Sequence, residues 1–598
     1  MDKDIGMTLR LRTPAYDAHY SAIFDQLRLS VRGAQGLYYW LTPLCRADAG
    51  GEIDASSGPL RLRRSVRGGV TRLTASIRSN LWRERQTVFE FHPDRIECFL
   101  RLRGRGRLDR LWFFSGVRDG EVVGSVPGFD RYGPGDVNAL TREWFAPNES
   151  YSVSAGLSTM HWANSLASGA CFYFFGLEGA RRAFSAGLLA PPGRNDFDSF
   201  DFNCVTPEVK GSLDGVVNTQ SFSLAYNGHV TVKGAWESPR LVLQFGRDRL
   251  DCLEKYCRLL ERRGAIAPPA RGRGPAWWRR PIFCGWHEQV ALGALAEKRE
   301  KGKASVSTMG RYVTARCTQA LHEEWLDELL RRKLPIGTLI IDDRWQKEYA
   351  GFEPDTERFP DLRGFIERCH ARGVRVLLWT PAWTTNGLPP EECVLRDGKP
   401  LAMDPTHPRC RARLEEGLRR AFSDGPDGLN ADGLKIDGSL SCPVGSDVRT
   451  HGGVYGFELQ RRYLEIVHRA VKRVKPDALI SLFVANPYYR DLCDMVRLGD
   501  LYTTYGDPRR TCRARAEIYR ATMKGKLIDT DGAVRFSLAE DLAGEFERQI
   551  EFGVPCLYQV REVFQQRAFS PIFHRRFTEG DYRRIKAALD RYVRKECR

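Results

Sequence analysis

The residues of this 598-residue chain that could do chemistry stand in short polar clusters, each closing an apolar run. Trp286-His287-Glu288-Gln289 closes one run and Asp342-Asp343-Arg344-Trp345-Gln346 the next. Leu378-Trp379-Thr380 and Lys435-Ile436-Asp437-Gly438 follow, and Arg497-Leu498-Gly499-Asp500 stands further on. Carboxylates on separate elements with aromatic rings between them suit cleavage of a glycosidic bond. That reaction needs one carboxylate as nucleophile or base and another as acid. Side chains in a strand alternate, so Lys435 projects to the same side as Asp437. Its charge favours the ionised carboxylate, and Gly438 leaves space beside it for a sugar ring.

Elements that could position these clusters can be read from the alternation of strand and helix after about residue 281. Pro281–His287, Gly337–Asp343, Val374–Thr380 and Gly433–Asp437 read as four strands. Leu479–Val484, Asp500–Thr504, Leu527–Asp529 and Val554–Val560 supply four more, with helices at Leu321–Leu334, Leu362–Arg372, Cys410–Phe422, Gly456–Val474 and Glu579–Arg594. Eight strands alternating with helices fit one (β/α)8 TIM barrel, whose site lies where the C-terminal strand ends converge. The preceding chain has a different texture. Short β-rich runs (Gly36–Leu41, Arg95–Arg103, Arg110–Gly116, Ala170–Gly176, Val230–Phe245) between turn residues predict a β-sandwich over residues 1–246. An amphipathic helix at Arg247–Arg263 and a Pro/Gly/Arg stretch form a linker over 247–280, leaving 281–598 as the barrel.

Composition narrows the class. Hydrophobic residues at 42% and aromatics at 11% fit large packed cores and exclude wholesale disorder. The net charge of +17 is spread along the chain as Arg without a nucleic-acid motif, which reads as a solvated surface and no nucleic-acid partner. No run approaches the ~20 apolar residues of a membrane span. The start Met-Asp-Lys-Asp is no secretory signal, and sixteen scattered Cys without a CxxC pair read as reduced thiols. A cytoplasmic protein is expected, of unassigned oligomeric state.

The ordered set Ile341-Asp-Asp-Arg-Trp-Gln346, Arg358-Phe-Pro-Asp361, His370-Ala-Arg-Gly-Val374, Leu378-Trp379 and Gly433-Leu-Lys-Ile-Asp437 resembles retaining α-glycosidases of glycoside hydrolase families 31 and 36. The resemblance covers about residues 281–560, and a β-sandwich before the barrel is usual there. It implies that Asp437 is the nucleophile and Asp500 the acid/base. Asp342 and Asp343 would bind sugar hydroxyls, Trp345, Trp379 and Trp286 would wall the subsite, and Lys435 and Arg497 would be its basic members. It implies an oligosaccharide or glycoside substrate with no cofactor or metal. Double displacement would hold the two catalytic carboxyls roughly 5–5.5 Å apart. The sequence departs from those families at Ile436, where α-galactosidases usually carry Trp, and at Leu482-Phe-Val-Ala-Asn-Pro487, where they have a Cys-Ser-Gly-rich stretch. The Glu or Trp that often closely follows the nucleophile in family 31 is also absent.

An exo-acting hydrolase of α-galactoside-like substrates is expected, because adjacent Asp342 and Asp343 suit the C4 and C6 hydroxyls of such a sugar. A gluco- or xylo-configured substrate, transfer to a sugar acceptor, or a non-catalytic carbohydrate-binding barrel are the alternatives. Asp491, Asp494 and Asp507 are rivals to Asp500, with Asp529 and Asp531 as a reserve pair. Asp404 reads as a structural turn, and His287 and His451 as surface or core groups. Trp144 and Trp162 mark loops that could reach the barrel mouth.

Overall fold

The computed structural model describes residues 9–23, 25–33, 38–128, 134–135, 151–156, 174–179, 182–205, 219–270, 272–302, 310–439, 441–483, 486–498, 508–532, 542–567 and 570–597. Two sheets, antiparallel but for one strand pair, make up the N-terminal part, one of five strands and one of fourteen. Strand Val70–Ser79 shows why they form: buried Thr71, Leu73, Ala75 and Ile77 alternate with half-exposed neighbours, the period of a sheet with one wet face. Tyr16 and Tyr39 of the small sheet pack on Phe245 and Phe184 of the large one, with ring centroids 5.0 and 5.7 Å apart. A sandwich results, as expected.

The runs expected at Arg95–Arg103 and Arg110–Gly116 fuse into one strand, Arg95–Phe113. Gly104 and Gly106 read as a break, but they make room for the Trp82 ring, which would lie 3.0 Å from a Cβ at Gly106. Helix Arg249–Arg262, capped by Asp248, then leads to the barrel. The two parts meet through Glu458, which accepts from the Asn195 amide at 2.9 Å, and through His229 stacked on Tyr455 at 3.6 Å.

The barrel strands are Ile282–Cys284, Thr338–Ile341, Arg375–Pro381, Gly433–Asp437, Leu479–Leu482, Met495–Arg497, Leu527–Asp529 and Cys556–Leu557, all parallel and in that spatial order. Near-continuous burial of runs such as Thr-Leu-Ile-Ile reflects a sheet covered on both faces. Ile282, Cys284, Ile340, Leu377, Leu479, Met495 and Cys556 fill the interior, while Leu339, Ile341, Val376 and Leu434 face the helices. Between strands seven and eight, the Val554 amide donates to the Ile528 carbonyl at 2.7 Å and the Thr530 amide to the Val554 carbonyl at 3.1 Å.

Two strand assignments need correction. Strand six lies at Met495–Arg497, not at Asp500–Thr504, because the buried run that pairs with both Leu482 and Ile528 is Met-Val-Arg; residues 500–504 lie outside the described set. Strand one stops at Cys284, and Trp286 opens the helix Trp286–Lys301. Glu288 in its first turn is buried and accepts the amides of Val560, Arg561 and Glu562 at 2.6–3.0 Å, tying strand one to the segment after strand eight.

Burial raises the Glu288 carboxyl to about 7 against three lowering hydrogen bonds. A folded pKa above the unfolded value means that the folded state holds more protons between the two. Stability from this group therefore falls as pH rises from the ordinary carboxylate range to about 7. We predict that Glu288→Gln, which keeps an acceptor oxygen, flattens that slope by on the order of 3 kcal/mol between pH 4.5 and pH 8 in chemical denaturation. An unchanged slope would contradict a buried, titrating Glu288.

Candidate active site

Register builds the site in layers. Trp379 pairs with Lys435 and Pro381 with Asp437, while Ile341, the residue before Asp342, pairs with Leu378. Asp342, Trp379 and Lys435 thus share one level of the barrel interior, and Asp437 stands one level nearer the mouth. On the lower level the Lys435 ammonium is fully enclosed. It donates to Asp342 Oδ2 at 2.7 Å and to the Tyr558 hydroxyl at 3.1 Å, and Cys284 Sγ lies 3.2 Å from the same carboxylate oxygen.

The Asp437 side chain remains 36% exposed. Its Oδ1 accepts from Arg497 Nη1 and the Gly438 amide, both at 3.0 Å, and its Oδ2 from Trp379 Nε1 at 3.3 Å. Arg497 is 4% exposed, and its Nη2 lies 2.9 Å from Asp531 Oδ2. Tyr558 also donates to Asp531 Oδ1. One chain of charge therefore runs Asp342, Lys435, Tyr558, Asp531, Arg497, Asp437.

Burial alone would raise the Asp437 pKa. The charges of Arg497 and Lys435, with hydrogen bonds from Arg497 and Trp379, outweigh it and hold the group at about 2. Asp343 responds in the opposite sense. Burial and the charges of Asp342 and Asp437 raise it to about 6, although the Tyr349 hydroxyl donates to its Oδ1 at 2.8 Å. The arrangement presents an ionised, anchored and accessible carboxylate at the barrel mouth, which is what a nucleophile at an anomeric carbon requires.

The sequence-predicted residues divide on this geometry. Asp437, Trp379, Lys435, Arg497, Asp342 and Asp343 converge, but several are not free to meet a sugar. Arg497 spends both terminal nitrogens on Asp437 and Asp531, and Lys435 is committed to Asp342 and Tyr558, so both act as internal clamps. Trp345 is wholly buried and donates to the Trp379 carbonyl at 2.8 Å; it supports that residue from behind instead of walling a subsite. Trp286 starts a helix and packs on the interior cluster and on Val290 and Val313.

Asp500 lies outside the described residues, as do Asp507, Trp144 and Trp162. Among its rivals, Asp491 is paired with Arg461 at 2.8 Å and Asp494 with Lys472 at 2.7 Å, and Asp494 precedes strand six, at the end of the barrel away from the mouth. The reserve pair is engaged too. Asp531 is fully buried against Arg497, and Asp529, raised by burial and by the Asp531 charge, accepts the Asp531 amide.

Asp404 accepts from Thr406 and the His451 amide, as a structural turn does. Among the described residues Glu90, His92 and Glu97 have metal-ligand spacing, but Arg72, Arg95, Arg240 and Arg263 already hold the two carboxylates. Two site residues escaped sequence reading. Tyr558 follows Cys556 at the inward period of strand eight, which could have revealed it; Tyr349 is positioned by loop geometry that no spacing encodes.

A parallel barrel with an ionised carboxylate at the end of strand four, preceded by a β-sandwich, defines the class: a (β/α)8-barrel protein. Residues 304–452 match the TIM-barrel domain of glycosyl hydrolases family 31. Over that quarter of the chain the barrel is similar to the family 31 TIM-barrel domain. An α-xylosidase of Lactiplantibacillus pentosus is 31% identical over 78 residues, 12% of this chain, and the match spans 10% of that relative's length. An α-N-acetylgalactosaminidase structure from Bifidobacterium bifidum overlays 98% of this chain and 93% of its own, at 12% identity and a TM-score of 0.60. A family 31 sulfoquinovosidase from E. rectale overlays 98% and 83%, at 12% identity and 0.55. At such identities the two structures speak for the fold alone.

Removing Arg497 leaves Asp531 buried without its cation. We predict that Arg497→Met lowers the unfolding free energy by about 3–5 kcal/mol at pH 7, and that adding Asp531→Asn recovers part of it. A loss below ~1 kcal/mol in urea denaturation would mean that the pair contributes no more than an exposed one.

Proposed function

We propose that this protein is a retaining, exo-acting α-glycosidase working by double displacement. Asp437 attacks the anomeric carbon while Asp500 protonates the departing glycosidic oxygen; Asp500 then activates the water that releases the sugar from Asp437. The observation that carries this reading is the Asp437 carboxylate, held ionised by Arg497 and Lys435 yet open to the barrel mouth. Arg497 and Trp379 fix its rotation, so the attacking oxygen is oriented before substrate arrives.

The sugar follows less directly. Asp343 Oδ2 is buried and has no hydrogen-bond partner among the described residues; we assign it as acceptor for a sugar hydroxyl that reaches it on binding. Asp342 is occupied by Lys435, so the α-galactoside-like substrate suggested by two adjacent carboxylates rests on Asp343 alone. A xylo-configured substrate is the second reading, favoured by the local likeness to proteins named α-xylosidases. The natural substrate is proposed to be an oligosaccharide or glycoside. The cysteines among the described residues are free and nearly all buried, which supports the cytoplasmic location kept in this proposal. No helix among the described residues is long and apolar enough to cross a membrane.

A panel of aryl α-glycosides, read by proton NMR for the first-formed anomer, tests the reaction. We expect release of the α-anomer from one sugar class, and a fall of roughly four orders of magnitude or more for Asp437→Asn with the fold intact. A β-anomer would exclude double displacement, and surviving activity would exclude Asp437. A longer oligosaccharide in place of free sugar would identify transfer, and no release from any α-donor would favour a non-catalytic carbohydrate-binding barrel.

A further inference from the structure

At the opposite end of the barrel from Asp437, the linker, the start of strand seven and the last helix border an open cleft of about 420 Å³. Its size is that of a small-molecule site. Leu527, Phe552 and Tyr592 give it an apolar floor, and five cationic side chains line it: Arg273, Arg279, Arg520, Lys526 and Lys595. Two carboxylates are present, but both are engaged. Glu596 lies 3.2 Å from Lys595 and 3.8 Å from Arg273, and Glu551 lies 3.4 Å from Arg513.

The other three cations have no carboxylate partner among the described residues. Arg520 Nη2 donates to the carbonyls of Glu551 and Phe552 at 2.9 and 3.2 Å, and Arg279 Nη1 donates to the Arg273 carbonyl. Those carbonyls fix the guanidinium groups without neutralising them. The Lys526 side chain, whose charge acts on Cys493 and His468, has no carboxylate partner among the described residues, and Gly525 beside it, at φ +85°, approaches the Ala270 carbonyl. Three uncompensated charges, two of them immobilised, thus face one concave space.

We propose that this cleft binds a small phosphorylated metabolite carrying at least two negative charges. Planar guanidinium groups match phosphate oxygens in pairs, and a mobile ammonium adds a third contact. The apolar floor would take the non-phosphate part of the molecule. The site gives a role to the Pro/Gly/Arg linker and to part of the Arg excess, which sequence composition alone assigned to solvated surface. It does not depend on the sugar chemistry at the other end of the barrel.

Calorimetric titration of the full chain with sodium pyrophosphate, at constant ionic strength set with sodium chloride, tests it. Saturable binding is expected, weakened at least about tenfold by Lys526→Glu and by Arg279→Met. Far-UV circular dichroism and unliganded thermal unfolding check that both variants fold. Absence of saturable binding overturns the proposal. So does binding of equal strength in both folded variants, which would locate the anion elsewhere.

Discussion

The guanidinium of Arg497 is withdrawn from water between Asp437, which faces the barrel mouth, and Asp531, which is fully buried. A lone ion in that position would cost several kcal/mol to desolvate, and either carboxylate alone would leave charge unmatched. The solution is a chain of alternating sign, extended by Tyr558 and Lys435 to Asp342, so that residues from strands two, four, six and eight, and from the loop after strand seven, are fixed by one another. Such a network makes a poor stabiliser compared with an apolar core, but it defines where each charge sits and leaves one carboxylate with an open face.

That asymmetry is the chemically useful feature. Lys435 and Arg497 face inward and are consumed by the scaffold, while Asp437 receives their field without being sealed by them. Trp379 completes the setting from strand three, with Trp345 packed behind it and bonded to its carbonyl. A deep apolar layer of Ile282, Ile340, Leu377 and Leu479 lies beneath and excludes water from the lower level. The low pKa of Asp437 therefore follows from position in the barrel more than from any single hydrogen bond.

The barrel was legible because parallel strands buried on both faces leave unbroken apolar runs, and a polar cluster marks where each run reaches the mouth. Strand four, Gly433–Asp437, and helix Gly456–Val474 could be read to the residue for that reason. Where a run is short the reading slipped: Met495-Val-Arg has too few apolar residues to announce strand six, and Trp286 looked like a strand end although it opens a helix. The roles of Arg497, Lys435 and Trp345 could not be read, because type and spacing bring a side chain to a site without saying whether a neighbour has already taken it. Asp531 and Tyr558 show the converse, since their importance arises only from contacts between strands seven and eight and the opposite wall.

The proposed chemistry turns on Asp437 forming a bond to the anomeric carbon of a sugar. The direct measurement is to incubate the protein with an activated fluoro-sugar matched to any α-glycoside it is found to turn over, digest it, and map the added mass by tandem mass spectrometry. One sugar per chain is expected, attached to the Asp437 side chain. A label on any other residue, or none under conditions where the matched glycoside is turned over, would contradict it.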